Sequence, residues 1–178
     1  MATYFTGDNH FFHARIIDYC HRPFKSLSDM DGYLISQWNE RVRTDDTIYV
    51  IGDFVFGGKT HLQRATGALL GHKFIIRGNH EKGTQRYLDA GFEAMYEELE
   101  LELQGKKYLL NHFPYDITDE RFQARKPVDK GLWLLCGHVH DKWQTKGHMI
   151  NVGVDCWNMA PVSEETIILL SSKGGTNK

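Results

Sequence analysis

Long apolar runs are missing from this chain of 178 residues. Charged and polar side chains interrupt Met1 to Arg15 before a secretory leader could form, and no stretch reaches the about 20 apolar residues that span a bilayer. Membrane attachment is not expected. Paired cysteines are missing as well: Cys20, Cys136 and Cys156 are odd in number and far apart, which suits reduced thiols in a cytoplasmic protein better than a disulfide framework. A basic excess is absent too. With 21 Lys and Arg against 23 Asp and Glu, the formal net charge is -2. That leaves no footprint for gripping many backbone phosphates, so no stable nucleic-acid partner is expected, although a small phosphate-bearing ligand remains compatible. Internal repeats are lacking, and the only biased segment is a Ser/Lys/Gly-rich tail over 171–178, expected to be flexible. What is present, 41% hydrophobic and 25% charged residues, predicts one globular domain over 1–170.

Short β-branched or aromatic runs recur at Thr3 to Thr6, Thr47 to Ile51, Lys73 to Ile76, Lys107 to Leu110, Leu132 to Cys136, Met149 to Val152 and Thr166 to Leu170. All of these read as strands. Between the first two, Leu34, Ile35, Trp38 and Val42 share one helical face, and Ser28 is placed as the N-cap. A second helix is expected over His61 to Leu70, closed by Gly71. The resulting β-α-β-α-β order predicts a parallel start. From Glu98 onward, alternation of Leu99, Leu101 and Leu103 with glutamates, then Gln104-Gly105-Lys106, predicts an antiparallel hairpin with one wet face. Phe113 to Lys130 has no clear period and reads as a functional loop.

Polar residues of metal-binding type stand just beyond the apolar runs. Asp8-Asn9-His10 follows the first, Gly52-Asp53 the second and Gly78-Asn79-His80-Glu81 the third, while Asn111-His112 and Gly137-His138-Val139-His140 follow later ones. Ligands collect at the carboxyl ends of strands in α/β folds, so these groups are expected to converge. On an extended segment residues i and i+2 point the same way, which would aim Asp8 with His10, and His138 with His140, at one centre. Taken singly, Asp-x-His or Gly-Asp is more often a turn than a site. The ordered ensemble is the signal. Its carboxylate, amide and imidazole donors favour borderline or hard divalent ions over a thiolate-type site.

This ensemble of Asp-x-His, Gly-Asp, Gly-Asn-His-Glu, His and Gly-His-x-His resembles the signature of the calcineurin-like metallophosphoesterase superfamily. The resemblance runs from Tyr4 to about Ile168. Tyr19-Cys20-His21-Arg22-Pro23-Phe24 and Asn151-Val152-Gly153-Val154-Asp155 are further similar to small phosphoesterases of bacteria and phages. It implies an α/β fold, a four-layer α/β/β/α sandwich of two mixed β-sheets. It also implies two divalent metal ions, for which the donor set favours manganese first, with iron, zinc, nickel or cobalt compatible. Asp8, His10 and His140 would hold one ion, Asn79, His112 and His138 the other, and Asp53 would bridge them. His80 would donate a proton to the leaving oxygen, and Glu81 would fix its segment. The implied reaction is hydrolysis by in-line attack of a metal-bridging hydroxide.

Arg77 precedes the third motif as in protein serine/threonine phosphatases, where that arginine holds phosphate, so it is a candidate catalytic and substrate-binding residue. The second motif departs from theirs, because Phe56 and Gly57 stand where an orienting Asp and a second phosphate-gripping Arg would be. A diester monoanion needs less positive charge than a monoester dianion, so a phosphodiester of a small nucleotide or oligonucleotide type is favoured. His13, Phe54 and Tyr115 are further candidate substrate contacts, as are Phe56, Arg125, Lys130, Trp157 and Asn158. A phosphomonoesterase or protein phosphatase, a non-enzymatic metal-binding interaction scaffold and a processive nuclease are the alternatives.

Overall fold

The computed structural model describes residues 1–173. In chain order its elements are β1 (Thr3–Thr6), α1 (Ile16–Tyr19), α2 (Leu27–Asn39), β2 (Thr47–Ile51), α3 (Lys59–Gly67), β3 (His72–Ile76), α4 (Thr84–Leu88), β4 (Phe92–Tyr96), β5 (Leu99–Leu103), β6 (Lys106–Leu110), β7 (Trp133–Cys136), β8 (Thr145–Lys146), β9 (Met149–Asn151), β10 (Val162–Ser163) and α5 (Glu164–Ser172). One sheet has the order β10-β1-β2-β3-β4, parallel from β1 to β4 with β10 antiparallel at the edge. The other has the order β5-β6-β7-β9-β8. Its hairpin is as expected, and the sheet is mixed as the resemblance implies, since β6, β7 and β9 run parallel.

The strand alternation assigns each face a core. Phe5, Ile51 and Ile76 of the first sheet meet Leu110, Leu135 and Ile150 of the second, so the sheets pack face to face. Ile48, Val50 and Ile75 point the other way, onto Met30, Leu34 and Trp38 of α2 and Leu62 and Ala65 of α3. Leu109, Leu134, Cys136 and Met149 line the second sheet's outer face under Tyr115 and Trp143.

Local expectations are corrected in four places. The N-cap of α2 is Ser26, extended at φ -144° and accepting from the Asp29 N–H at 3.1 Å, because Leu27 already belongs to the helix and packs against the core. Ser28 therefore sits inside the first turn. α3 ends at Gly67, so Gly71 does not cap it. Thr166 to Leu170 is helix and not strand: Ser163 accepts from the Thr166 N–H, Glu164 and Glu165 oppose the helix dipole, and only Ile167 and Ser171 are buried. That helix continues through Ser172, so the tail does not begin at Ser171; residues 174–178 lie outside the described residues. Among the described residues no helix is long and apolar enough to cross a membrane.

Candidate metal centre

All five polar groups leave the carboxyl ends of strands β1, β2, β3, β6 and β7 and meet at one end of the sandwich. The backbone there is not extended. Asp8 and His10 have φ of 51°, Asp53 has 53°, and His138 and His140 have 70° and 51°. The paired aim thus comes from alternating left-handed residues rather than from strand alternation. Each such residue costs on the order of 1 kcal/mol, which the surrounding hydrogen bonds must offset. For the first loop these are Asp8 N–H to Gly52 O at 3.1 Å and His10 N–H to Asp53 O at 3.0 Å. Gly52 itself has φ 78°, and a Cβ there would strike the His112 ring.

Two clusters share this end. Asp8, His10 and His140 offer ligand atoms within 4.8 Å of one another, as do Asp53, His112 and His138. Oδ2 of Asp53 lies between them, 3.7 Å from His10 Nε2 and 3.5 Å from His112 Nε2. Asn79 completes the second cluster, its Oδ1 being 3.1 Å from both His112 Nε2 and His138 Nδ1. Tautomers are set from behind. The His112 Nδ1–H donates to Ile51 O at 2.9 Å and the His140 Nδ1–H to Asp155 Oδ2 at 2.9 Å, leaving each Nε2 to face the cluster. His112 Nε2 and Asn79 Oδ1 then face each other lone pair to lone pair, an arrangement that a shared cation relieves.

Orphaned atoms make the same point. Asp8 Oδ1 and His10 Nε2 are buried with no hydrogen-bond partner in the protein. Leaving such groups unpaired costs about 1–3 kcal/mol each, and a divalent ion between them would remove that cost. Burial pushes the Asp8 carboxyl up to about 7, against the opposing charge of His140. Burial also holds His112 and His138 down at about 4, so both are neutral imidazoles at physiological pH, the form that ligates. His140 is opposed by burial, yet the Asp8 charge and the Asp155 hydrogen bond carry it up to about 11, so without a metal it is protonated, and a cation held there would displace its Nε2 proton. These residues fit a pair of divalent cations.

His80 stands over Asp53, its backbone N–H donating to Asp53 Oδ1 at 3.0 Å and its ring edge-on to His10 at 5.3 Å. Its side chain is 35% exposed and lines a cavity of about 470 Å³ above the clusters. Glu81 turns inward. Its carboxylate accepts from the N–H groups of Asp53, Phe54 and Gly78 at 2.8–2.9 Å, stapling the second motif to the third.

Substrate contacts divide differently from expectation. His13 lines the cavity and stacks on the exposed Phe56 ring at 4.4 Å. Arg77 does not reach it, because its guanidinium is spent on Glu97 at 2.6 Å, Thr84 Oγ1 at 2.8 Å and the Glu81 carbonyl at 3.1 Å. Phe54 is fully buried against Phe11 and Phe92, so it forms core and no substrate wall. Tyr115 is buried on the second sheet's outer face, donating to Leu132 O. Arg125 braces the carbonyls of Arg77 and Gly78, Lys130 lies beside Tyr115, and the Trp157 Nε1–H is bonded to Asn151 O. Residues given no role from the sequence are Tyr19, Asp141 and Lys142 on the cavity wall, and Arg22 and Asp155 behind it; Tyr19, Arg22 and Asp155 lie in the two segments that resemble the small phosphoesterases, whereas Asp141 and Lys142 had no local signal. Only Lys142 brings a lysine or arginine charge to the wall, among the described residues.

No family model matches this sequence. The chain is 33% identical over 180 residues to the uncharacterized protein MJ1445 of Methanocaldococcus jannaschii, across 96% of this chain and 92% of that protein. The gene 66 protein of Mycobacterium phage D29 is 31% identical over 186 residues, covering 90% and 92% of the two chains. A crystal structure of the protein of unknown function AQ665 from Aquifex aeolicus superposes with a TM-score of 0.76 at 29% identity, over 95% of this chain and 98% of that one.

Proposed function

The chain belongs to one family with MJ1445 and the phage D29 gene 66 protein, and we propose that it is a dinuclear metal-dependent phosphodiesterase of the calcineurin-like metallophosphoesterase type. The substrate class is a small nucleotide or oligonucleotide-type diester. The observation that carries the reading is the pair of ligand clusters sharing Asp53, with Asp8 Oδ1 and His10 Nε2 buried and unpartnered. Asp8, His10 and His140 would hold one ion, Asn79, His112 and His138 the other, with Asp53 common to both. Bound there, divalent ions would make a hydroxide available near neutral pH and offset charge on the phosphoryl oxygens.

The protein's own groups account for the rest. His80 sits on the open side of Asp53 and is the proton donor to the departing oxygen. Phe56 and His13 present an aromatic wall suited to a base or aryl group. A diester is favoured because Lys142 is the one lysine or arginine on the wall among the described residues, and Arg77, the residue that argued for a monoester, is engaged elsewhere.

Adding Mn2+ to metal-free protein is expected to switch on hydrolysis of an activated aryl phosphodiester, faster than of the matching monoester, with two ions bound per chain. His80→Ala is expected to keep both ions and lose the activity. Absence of diester turnover with Mn2+, Fe2+, Zn2+, Ni2+ or Co2+ would overturn the proposal, and a higher monoester rate would reassign the substrate.

A further inference from the structure

Arg22 and Asp155 carry no part of the chemistry above, yet both are buried, with side chains 0% and 2% exposed. A buried guanidinium and carboxylate must be paired in good geometry to be tolerated, and these are. Arg22 Nε donates to Asp155 Oδ1 at 2.7 Å and Nη2 to Oδ2 at 3.0 Å, a two-pronged contact. The remaining donors reach the first ligand loop: Nη2 to the carbonyl of Asp8 at 2.7 Å and Nη1 to that of Asn9 at 3.0 Å. Asp155 in turn accepts the His140 Nδ1–H. From the other side, Asn151 Nδ2 donates to the His140 carbonyl at 2.7 Å. One ion pair therefore ties the loop bearing Asp8 and His10 to the ring of His140.

We propose that Arg22 and Asp155 are positioning residues that hold His140 with Nε2 facing Asp8 and His10, so that the first metal position is built before any ion arrives. Neither lines the cavity. The pair also gives a role to the two segments Tyr19 to Phe24 and Asn151 to Asp155, which the five ligand motifs leave unexplained. An arginine is needed at 22 because a lysine ammonium cannot grip both carboxylate oxygens and two carbonyls in one plane.

The metal half of this inference rests on the proposed function, and the test separates the two. Divalent-ion titrations with Mn2+ would be run on wild type, Asp155→Ala, Asp155→Asn and Arg22→Lys, with His10→Ala and His112→Ala assigning the first and second positions. Outer partners of metal-bound histidines are worth roughly 10–100-fold in affinity. Asp155→Ala is expected to weaken the first position by about that factor and leave the second unchanged. Asp155→Asn, which keeps an acceptor for Nδ1–H but not the charge, is expected to fall between. In metal-free protein, the His140 Nδ1–H should give a protected downfield proton signal that Asp155→Ala abolishes.

Equal weakening of both positions, or an unchanged first position in folded Asp155→Ala, overturns the proposal. If Asp155→Ala does not fold, Asp155→Asn and Arg22→Lys decide it by the same selectivity. If wild type takes up no ion, the metal reading fails, and the proton signal alone judges the positioning: its loss in the variants upholds the held ring, its persistence refutes it.

Discussion

Asp31 illustrates how a single buried carboxyl on α2 is coupled to the first ligand loop without entering the site. It accepts the Phe12 N–H at 3.3 Å, and burial pushes its carboxyl from 3.8 up to about 6. The folded state thus holds this proton more tightly than the unfolded chain does. Stability from this group is greatest below about pH 4, falls as the pH rises toward 6, and is level above that. Partial solvent screening reduces the loss to on the order of 1–2 kcal/mol. Urea unfolding at pH 4.5 and pH 7 should show that Asp31→Asn lacks this part of the pH dependence; equal slopes for the two proteins would refute it. At the centre itself, two residues of one motif part ways. His80→Ala should lower kcat by about 100-fold or more, whereas Arg77→Ala should change kcat/KM by no more than about a fewfold, both measured on the aryl diester. Both positions follow β3, but only His80 faces the cavity.

Helices and strands bring these groups together through features partly visible beforehand. The face of α2 was legible because Leu34 and Trp38 recur at helical spacing and both are buried; Met30, one turn earlier, was not part of the pattern read, and Val42 is buried beyond the helix end at Asn39. Its start was not, because Ser26 and Ser28 are equally good caps locally, and the packing of Leu27 decides between them. Ser26→Ala should destabilise the protein by about 1 kcal/mol, and Ser28→Ala by well under that, as measured by chemical unfolding. A larger loss at Ser28 would restore it as the cap. The apolar run Thr166 to Leu170 shows the converse difficulty, since a short continuous run fits a buried strand or a helix equally. Ser163 and the two glutamates that follow were the available signal for helix. β4 and α4 were not anticipated: Phe92–Tyr96 contains Glu93 and Ala94, poor strand formers, and holds its place by pairing with β3.

Across the whole molecule the two sheets are joined at the ligand end. Asp8, His10, Asp53 and Asn79 belong to the first sheet, and His112, His138 and His140 to the second. Ions held between them would cross-link the sheets and bind the folded state alone. At a free Mn2+ concentration about 100 times Kd, each position should add about 2.7 kcal/mol. For a chain of this length that is a rise in Tm of roughly 5–10 °C per position. Calorimetry with and without EDTA measures it, and an unchanged Tm would count against resident metal positions at this end. Sequence alone determined the five polar groups, their order and their place beyond the strands, because donor types and strand runs are local properties of the chain. It also identified the two mixed sheets through the resemblance those groups carry. Tertiary structure alone decided that the ligand loops alternate through left-handed residues, that Arg77, Phe54 and Tyr115 turn away from the cavity, and that Arg22 finds Asp155 across 133 residues. The physical reason is that such pairings depend on which surfaces the two sheets bury against each other. No local periodicity or propensity records that choice.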